Sequence, residues 1–357
     1  MNLSELPLGT TINDRYELVG SLGTGAGGSV YAAHDRHLDA LIAVKLLNPS
    51  EEGSTGPWHE AQLLEQLKSR FLLNVLNAEI VINSDIRFIV TPVMSGGDLE
   101  EIAKPNGLPP STAAHLVQQI ASGLDRIHRA RMVHRDVKPG NVLVSSDEAV
   151  LGDLGFCHLL GDDETAPPNG TFCTVAPEVL GENGKCSPAS DVYSLAATAY
   201  YLLSGEYPVD HRISKQEQHD LIATGSIREL RSIAPHVSRA VGAVVRKSLK
   251  RDPTQRHASA TEFGNALVSA AQGSRDWYRV THAGHLHCVV GSSHGAKKEI
   301  QVCCTQIDKR SVEVCARMSG SGRQLPGRPD TRVTPGKLTV TLQQLTASGT
   351  AAPIGDL

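Results

Sequence analysis

The chain of 357 residues lacks several features that mark membrane, secreted and nucleic-acid-binding proteins. Its longest apolar candidate, LAATAYYLLSG, falls well short of the roughly 18 residues of a membrane-spanning helix. The opening MNLSELPLGTTINDRYEL has neither the basic start nor the apolar centre of a secretory signal. A net charge of -4 offers no broad basic surface. We therefore expect no membrane span, no secretory signal and no nucleic-acid partner.

The cysteines also fail to form a recognisable framework. There are seven, an odd number at irregular spacings, so a disulfide-stapled fold is not expected. A reducing, cytoplasmic location fits this usage best. The composition, 40% hydrophobic and 20% charged, is ordinary for a globular protein, and the length suggests about two domains with a sizeable core.

The secondary structure that the sequence pattern predicts changes twice along the chain. Strand-like alternation broken by glycines covers residues 15–47, and IRFIVTPVM forms a further strand ending at Pro92. Helical spacing occurs before that last strand in WHEAQLLEQLKS, with Pro57 just ahead of it, and after it in STAAHLVQQIASGLDRIHRA, which opens on a Ser/Thr cap. Further helices are predicted at 190–204, 215–224, 237–250 and 259–271. The pattern predicts an α+β, two-lobed unit, with parts at 1–94 and 95–272.

Residues 273–357 are predicted to form a separate small β-rich domain. Five alternating runs read as strands: WYRVTH, HLHCVVG, EIQVCCTQ, SVEVCARM and KLTVTLQQL, with turn-rich pieces between them and a loose tail, TASGTAAPIGDL. Alternation assigns the following residues to the core face: Tyr278, Val280, Leu286, Cys288, Val290, Ile300, Val302, Cys304, Val312, Val314, Ala316, Leu338, Val340 and Leu342.

The opposite face of this domain then gathers nitrogen and sulfur donors. These are His285, His287, Cys303 and Cys315. Such a set has the character of a zinc site, but its spacing matches no known zinc pattern. A solvated face with chance histidines is the favoured interpretation, and whether this set binds metal stays open.

A glycine-rich stretch, SLGTGAGGSVYAAH, places Gly23, Gly25 and Gly28 at G-x-G-x-x-G spacing. Dinucleotide-binding folds use the same spacing between a strand and a helix. Here the following residues are strand-like, which favours a hairpin that covers phosphate groups. Glycines suit this role because backbone N–H groups can approach phosphate oxygens without obstruction by a Cβ atom.

Two further segments carry chemistry. Lys45 lies in the apolar strand LIAVKLL, where a lysine is costly unless it is paired, and Glu60 on the next helix is its natural partner. The alternative is a lysine whose stem is buried and whose head reaches solvent. In MVHRDVKPGNVLV, Asp136 can align or deprotonate a hydroxyl and Lys138 can steady a phosphoryl group. A surface hairpin with incidental charges is the alternative for this stretch.

Oxygen donors for a metal follow closely. Asn141 and the carboxylate of Asp153, in VLGDLGF, are suited to Mg²⁺, which prefers oxygen ligands. Two metal ligands on neighbouring loops are what in-line phosphoryl transfer needs, because its catalysis is mostly positioning and charge neutralisation.

These motifs in this order resemble the eukaryotic-type (Hanks-type) Ser/Thr protein kinases, a family also found in bacteria. The resemblance covers about residues 12–270 and includes GTGAGGSV, AVK, HRDVKPGN, DLG, APE, DVYSLA and KRDPTQRHAS. It implies a bilobal kinase fold, with a small β-rich N-lobe and a helical C-lobe, followed by the C-terminal β-rich domain.

The resemblance implies roles for individual residues. Asp136 would be the catalytic base, with Lys138 contacting phosphate and Asn141 and Asp153 holding Mg²⁺, for which Mn²⁺ could substitute. The implied ATP-binding residues are Gly23, Gly25, Gly28, Val30, Ala43, Lys45, Glu60, the gatekeeper Thr91, and Pro92 and Met94 through their backbone. Glu178 and Arg256 resemble a structural ion pair, and Lys138 fits the Ser/Thr rather than the tyrosine pattern.

Departures from the family concern Leu154 in place of Phe, Thr174 in place of Tyr, and Ala196 in place of Gly. The hydroxyls between Asp153 and Glu178 belong to Thr165, Thr171 and Thr174. Thr171 resembles the threonine that bonds the catalytic Asp, and Thr165 is the candidate phosphosite, whose phosphate could pair with Arg135. Alternatively, the acidic residues 162–164 already supply the negative charge.

The sequence therefore predicts an ATP- and Mg²⁺-dependent protein Ser/Thr kinase that autophosphorylates, with a C-terminal domain that recruits a substrate or partner protein. A pseudokinase acting as a binding scaffold is the alternative, disfavoured because Lys45, Asp136, Asn141 and Asp153 are all present. A kinase-fold enzyme for small molecules is disfavoured by the APE segment. Cys157, next to the Asp153 loop, is either a reactive thiol or, more in keeping with its apolar surroundings, a small buried residue.

Overall fold

The computed structural model describes residues 6–25, 28–47, 58–146, 148–273, 275–293, 296–326 and 328–347. Two expectations lie outside these ranges: Pro57 as an early helical residue and most of the tail, 348–357. Within the described ranges, no helix combines the length and apolar character needed to cross a bilayer.

The N-lobe is built on one antiparallel sheet of six strands in the order β1-β2-β3-β4-β6-β5. Its elements in chain order are β1 (Thr11–Ile12), β2 (Tyr16–Gly25), β3 (Gly28–Asp35), β4 (Ala40–Leu47), α1 (His59–Gln66), β5 (Asn77–Ile80) and β6 (Arg87–Pro92). Alternating side chains of these strands form a small core around Tyr16, Val44 and Phe88. The strands and the helix predicted for this region are confirmed.

The C-lobe is mainly helical and has the largest core of the molecule. Its elements are α2 (Leu99–Ala103), α3 (Pro110–Arg129), β7 (Met132–Val133), β8 (Val142–Ser145), β9 (Glu148–Leu151), β10 (His158–Leu159), α4 (Pro188–Ser204), α5 (Lys215–Thr224), α6 (Leu230–Ile233), α7 (Arg239–Ser248) and α8 (Ala260–Ala271). Helix α4 is buried along nearly its whole length, and a capping box of Ser187 and Ser190 begins it. The four helices predicted between 190 and 271 are confirmed.

The expected Ser/Thr cap of α3 is wrong. The helix begins at Pro110, whose fixed φ suits a first helical position, and residue 109 makes no side-chain cap. Ser111 lies inside the first turn, and its hydroxyl instead donates to the carboxylate of Asp276 at 2.5 Å. A contact made only on folding therefore takes the group that local sequence assigned to capping.

The C-terminal sheet has five antiparallel strands in chain order. They are β11 (Asp276–Val280), β12 (His287–Ser293), β13 (Ala296–Asp308), β14 (Ser311–Met318) and β15 (Thr331–Val333), followed by α9 (Leu338–Ala347). The first four predicted strands are confirmed. The fifth, KLTVTLQQL, is wrong: it forms α9, and the short β15 lies in the stretch expected to be turns.

The fifth strand was predicted wrongly because its apolar residues fit both the period of a helix and the period of a strand. Leu338, Leu342 and Leu345 recur at helical spacing, while Leu338, Val340 and Leu342 alternate as in a strand. The helical face wins because Leu342 and Leu345 pack onto the sheet, which leaves Val340 exposed.

The predicted core face is also wrong in β11 and β12. Register pairing puts Val289 opposite Val302, and Val302 opposite Ala316, so these three share the core face. Trp277 joins them in the core instead of Tyr278 and Val280. Cys288 and Val290 are buried on the other face, and Leu286 is exposed. The core assignments Val302, Cys304, Val312, Val314, Ala316 and Leu342 are correct.

Candidate active site

A cleft of about 620 Å³ lies between the two lobes. Among the residues whose surroundings the structure describes, every one that the sequence assigned to catalysis, phosphate binding, metal binding or the nucleotide base lines this cleft. The lining includes Gly23, Gly28, Val30, Ala43, Lys45, Glu60, Thr91, Pro92, Met94, Asp136, Lys138, Asn141 and Asp153. Glu178, Arg256, Thr165 and Thr174 are not part of the lining.

The glycine turn that covers the cleft joins β2 to β3. Gly28 has φ +135°, and a Cβ atom there would lie 1.9 Å from the carbonyl oxygen of Leu46. Only glycine therefore lets β3 run this close to β4. Gly25 pairs with Gly28 across the hairpin, while the tip, residues 26–27, lies outside the described ranges.

The walls of the cleft beyond this hairpin are apolar. Val30 and Ala43 face it from β3 and β4, and Leu143 faces it from β8. Leu143 was missed by the sequence analysis, although it comes two residues after Asn141. Thr91, nearly buried, pairs with Ala43 and precedes Pro92. Apolar side chains from β3, β4 and β8 that line one cleft suit the binding of an aromatic base.

Lys45 is held between two carboxylates. Its Nζ donates to both oxygens of Glu60 at 2.8 Å and to Oδ1 of Asp153 at 2.8 Å. Burial by itself would lower the pKa of Lys45, but the two carboxylates outweigh it and raise the pKa. The ammonium therefore stays charged inside the cleft, and α1 is tied to the Asp153 loop through it.

Asp136 is the most heavily hydrogen-bonded carboxylate of the cleft. Thr171 donates to its Oδ1 at 2.6 Å, and Lys138 and Asn141 donate to its Oδ2 at 2.7 and 3.0 Å. Burial would raise the pKa of Asp136, but the hydrogen bonds from Lys138 and Thr171 prevail and lower it. Asp136 is thus ionised and fixed in orientation, as a group that aligns a hydroxyl must be.

Asn141 and Asp153 retain oxygen atoms suited to a metal ion. The side-chain nitrogen of Asn141 donates to Asp136, which leaves its amide oxygen toward the cleft. Oδ1 of Asp153 accepts from Lys45, while Oδ2 accepts no hydrogen bond from the residues that the structure describes. One amide and one carboxylate oxygen at the floor of a polar cleft fit Mg²⁺.

The backbone at Asp153 is left-handed, with φ 56° and ψ 54°. Such a conformation is uncommon for a residue other than glycine and is found most often where surrounding contacts hold it. On this backbone, the hydrogen bond from Lys45 orients the side chain of Asp153.

Asp191 organises the Asp136 loop from beneath, a role that the sequence analysis missed. Its carboxylate accepts the backbone N–H groups of His134 at 2.8 Å and of Arg135 at 3.0 Å, and lies 2.8 Å from Nε2 of His128. These contacts hold Arg135 in a left-handed conformation, φ 70°. Burial would raise the pKa of Asp191, but the hydrogen bond and charge of His128 lower it. The available signal was the acidic residue at the start of a predicted buried helix.

The segment after Asp153 is held by ion pairs of its acidic residues. Asp163 pairs with Lys185, and Glu164 pairs with Arg131 at 2.8 Å. A short bridge between Ala166 and Cys186 fixes the same stretch. Thr165 is half-buried, and its hydroxyl donates to Asp163 at 2.7 Å. The acidic residues therefore already neutralise two cations.

Arg135 contacts the same segment through main-chain oxygens. Its Nε donates to the carbonyl of Phe156 at 2.6 Å and its Nη1 to that of Pro167 at 3.1 Å. Burial lowers the pKa of Arg135. The guanidinium lies beside the segment that carries Thr165, where an added anion would reduce this desolvation cost.

Glu178 and Arg256 form a two-point ion pair. Nη1 and Nη2 of Arg256 donate to the two oxygens of Glu178 at 2.6 and 2.7 Å, and the guanidinium is completely buried. Backbone carbonyls of residues 189, 250 and 251 take its remaining hydrogens. The pair fastens the end of the segment to the loop before α8.

The other residues that the sequence analysis named between Asp153 and Glu178 have structural roles. Thr174 is buried, and its hydroxyl donates to the carbonyl of Thr171. Leu154 is buried in the C-lobe core, where its apolar side chain leaves Asp153 in place. Cys157 lies in the same core, and burial raises the pKa of its thiol well above the ordinary value, which agrees with a small buried residue rather than a reactive thiol.

A family comparison agrees with this arrangement. The model of the protein kinase domain matches residues 16–266, which is well over half of the chain.

Individual relatives are bacterial. The serine/threonine-protein kinase pkn2 of Myxococcus xanthus is 29% identical over 74% of this chain and 33% of its own length. The serine/threonine-protein kinase PknL of Mycobacterium tuberculosis is 29% identical over 73% of this chain and 67% of its own. PknB of Mycobacterium leprae is 30% identical over 73% and 44%. The chain thus spans between a third and two thirds of the length of these relatives.

Proposed function

This chain belongs to the protein kinase family, and from that premise we propose that it transfers the γ-phosphoryl group of ATP to serine or threonine hydroxyls of proteins. The observation that carries the proposal is the presence, in one cleft, of two charged assemblies. Lys45 with Glu60 and Asp153 can hold phosphates, and Asp136 with Lys138 can align a hydroxyl beside them.

The division of labour follows from the contacts. The glycine hairpin and the apolar slot of Val30, Ala43 and Leu143 bind and orient the nucleotide. Lys45 neutralises two of its phosphates. Asn141 and Asp153 would hold Mg²⁺, which supplies charge neutralisation for the transferred group when bound.

The acceptor hydroxyl is oriented by Asp136. Three donors fix this carboxylate, and the hydrogen bonds from Lys138 and Thr171 outweigh burial and lower its pKa, so it stays ionised and accepts the hydroxyl hydrogen bond around neutral pH. Lys138 bonds both Asp136 and Thr171, at 2.7 and 3.1 Å, and so lies where charge builds on the transferring phosphoryl group.

Autophosphorylation on Thr165 is part of the proposal. All three hydroxyls between Asp153 and Glu178 donate hydrogen bonds, but Thr165 donates to the exposed Asp163, whereas Thr171 donates to Asp136 and Thr174 to a main-chain carbonyl inside the fold. Thr165 is half-buried and directly follows Asp163 and Glu164, which pair with Lys185 and Arg131. Its phosphate would add charge beside Arg135.

The C-terminal sheet is proposed to recruit a substrate or partner protein. It is fastened to the C-lobe through Asp276 to Ser111, Asn106 to Thr281 and Gln343 to the carbonyl of Arg231. None of these residues lines the cleft, so the sheet leaves the cleft accessible.

The experiment is incorporation of labelled phosphate from ATP with Mg²⁺, comparing the wild-type chain with Asp136→Asn. We expect incorporation to fall roughly 10²–10⁴-fold in the variant, since asparagine keeps the shape but not the charge. Both proteins should bind ATP, read as a nucleotide-dependent rise in melting temperature. Phosphosite mapping should find Thr165, and Thr165→Ala should remove that site while Thr112→Ala does not.

Two results would contradict the proposal. Folded wild-type protein that binds ATP but transfers no phosphate, to itself or to a general acceptor such as casein, would favour the scaffold alternative. Incorporation that persists unchanged in Asp136→Asn would place the phosphoryl transfer outside this cleft.

A further inference from the structure

We propose that His282, His285, Cys288 and Cys303 form a structural zinc site on the C-terminal sheet. The site lies outside the kinase cleft and does not depend on the proposed kinase activity. It differs from the set that the sequence analysis named without favouring it as a metal site: His285 and Cys303 are retained, whereas His282 and Cys288 replace His287 and Cys315.

The four ligand atoms already lie close together. Each is within 4.8 Å of the others, and the burial is graded: Cys288 is buried, His282 and Cys303 are half-buried, and His285 is exposed. Nδ1 of His285 is 3.1 Å from Sγ of Cys288, and Nδ1 of His282 is 3.5 Å from Sγ of Cys303. A tetrahedral zinc with ordinary bond lengths separates neighbouring nitrogen and sulfur ligands by about 3.6 Å.

The fold brings the ligands together in two steps. Cys288 and Cys303 are direct partners in the β12–β13 register, so their side chains share one face. The two histidines come from the turn between β11 and β12, where the N–H of His285 donates to the carbonyl of His282 at 3.2 Å. Gly284 completes this turn with φ +78°. The N–H of Leu286 donates to the carbonyl of Cys304, which fastens the turn to β13.

A neighbouring amide supports the ligands from the same face. Nε2 of Gln301 is 3.1 Å from Sγ of Cys303, and its contact with Nδ1 of His282 at 3.2 Å would give way to the metal. Amide donors that bond a coordinating sulfur stabilise its negative charge and orient it, as second-sphere groups do in metal sites.

The chemistry of the donors selects zinc. Two imidazole nitrogens and two thiols are a Cys₂His₂ set, the closed four-ligand composition of structural zinc sites. Binding exchanges two thiol protons for one Zn²⁺, which gives two Zn–S bonds, two Zn–N bonds and two released protons. The product carries no net charge, which suits a partly buried face.

The proposed role is to fasten the sheet on the face opposite its apolar core. That core contains Trp277, Val289 and Val302, with Leu342 and Leu345 of α9 packed onto them. A metal tied to the β11–β12 turn, β12 and β13 would fix these three elements together.

The test uses the full chain without a histidine tag, purified under reducing conditions, loaded with Zn²⁺ and freed of excess metal by gel filtration. Metal content is measured by mass spectrometry. We expect about one zinc for each wild-type chain, and loss of that zinc in Cys288→Ser and Cys303→Ser. Cys315→Ser is the matched control, because Cys315 pairs with Cys303 across the strands but is not one of the four proposed ligands. This variant should retain the zinc.

A second variant is needed because substitution of the buried Cys288 could by itself disturb folding. His285 is exposed, so His285→Ala removes one ligand without opening the core. Its zinc affinity, measured against a chromophoric chelator, should fall at least about tenfold. Co²⁺ added to the metal-free wild-type chain should give the visible bands of tetrahedral cobalt and a thiolate-to-cobalt charge-transfer band, and Cys303→Ser should lose the latter.

Two outcomes would overturn the inference. A wild-type chain that keeps no zinc after loading has no such site. Zinc retained at full affinity in both His285→Ala and Cys303→Ser is held elsewhere in the molecule.

Discussion

The kinase cleft and the C-terminal sheet both gather polar side chains, but they stabilise them by different means. In the cleft, formal charges neutralise each other: Lys45 lies between Glu60 and Asp153, and Lys138 bonds Asp136. On the C-terminal sheet, the imidazole of His285 and the thiol of Cys288 meet at hydrogen-bond distance with no formal charge required.

The difference has a physical consequence. Charges inside a protein must be paired, so a charged site is assembled from several distant elements and can bind a charged ligand by exchanging partners. Neutral nitrogen and sulfur donors can lie together on one turn and two adjacent strands without that cost. The first arrangement suits phosphate chemistry, and the second suits a metal that displaces protons.

The largest effect is expected from breaking the cleft's charge balance. Lys45→Met leaves Glu60 and Asp153 without their shared cation, so phosphate binding and the position of Asp153 are both lost. We expect kcat/KM for phosphoryl transfer to fall roughly 10²–10³-fold, as for loss of one key electrostatic donor. Steady-state kinetics measure it. Lys68→Met is the control, since Lys68 forms only an exposed pair with Glu65, and its kinetics should match wild type.

The principle that buried charges must be paired can also be tested through the free energy of unfolding, by removing the partner of a buried charge. Glu178→Ala leaves the buried guanidinium of Arg256 without its carboxylate, and we expect the free energy of unfolding to drop by about 3 kcal/mol. Glu17→Ala removes the partner of Arg36 in an exposed pair and should cost about 0–1 kcal/mol. Denaturant unfolding compares them. Equal losses in the two variants would contradict the argument that burial sets the cost.

A smaller effect is expected at the contact between the C-lobe and the C-terminal sheet. Ser111→Ala removes the hydroxyl that donates to the buried carboxylate of Asp276, a hydrogen bond to a charged group that we expect to contribute about 1.5–3 kcal/mol. Hydrogen exchange should speed up in β11 and at the start of α3, while the cleft is unchanged. Thr112→Ala, an exposed neighbour on the same helix, should change neither.

Acid should weaken the contact between the C-lobe and the C-terminal sheet, where His236 lies beside His287. Its ring is buried, lies 6.3 Å from the ring of His287, and has no hydrogen-bond partner among the described residues. Burial, with the nearby His287 and Arg279, lowers the pKa of His236 to about 3. Below pH 6.5 the unfolded chain therefore binds a proton that the folded chain does not, and stability falls as the pH drops toward the folded value.

His236 by itself is expected to contribute about 1.4 kcal/mol to the loss in the free energy of unfolding between pH 7.5 and 5.5. Urea unfolding at the two pH values measures it. His236→Phe should reduce the difference by that amount, and His115→Gln, at an exposed position of α3, should leave it unchanged. The same pH dependence in wild type and His236→Phe would assign it to other groups.

The sequence determined most of the cleft. The lysine in an apolar strand, the glycines at fixed spacing and the HRDVKPGN loop each belong to a short segment whose local backbone positions the side chains. Lys45, Gly28 and Asp136 from these segments all line the cleft. It also determined the strands of the N-lobe and the helices of the C-lobe, because their apolar periods are long and fit one structure only.

Tertiary structure decided the rest. Leu143 and Asp191 act through neighbours distant in the chain, and Ser111 bonds Asp276 instead of capping its helix. Residues 338–347 fit both a strand and a helix until packing on the sheet selected the helix. In β11 and β12 both faces carry apolar residues, so alternation could not say which face is inside. Packing against the C-lobe and register with β13 chose it, and thereby placed Cys288 rather than His287 beside Cys303.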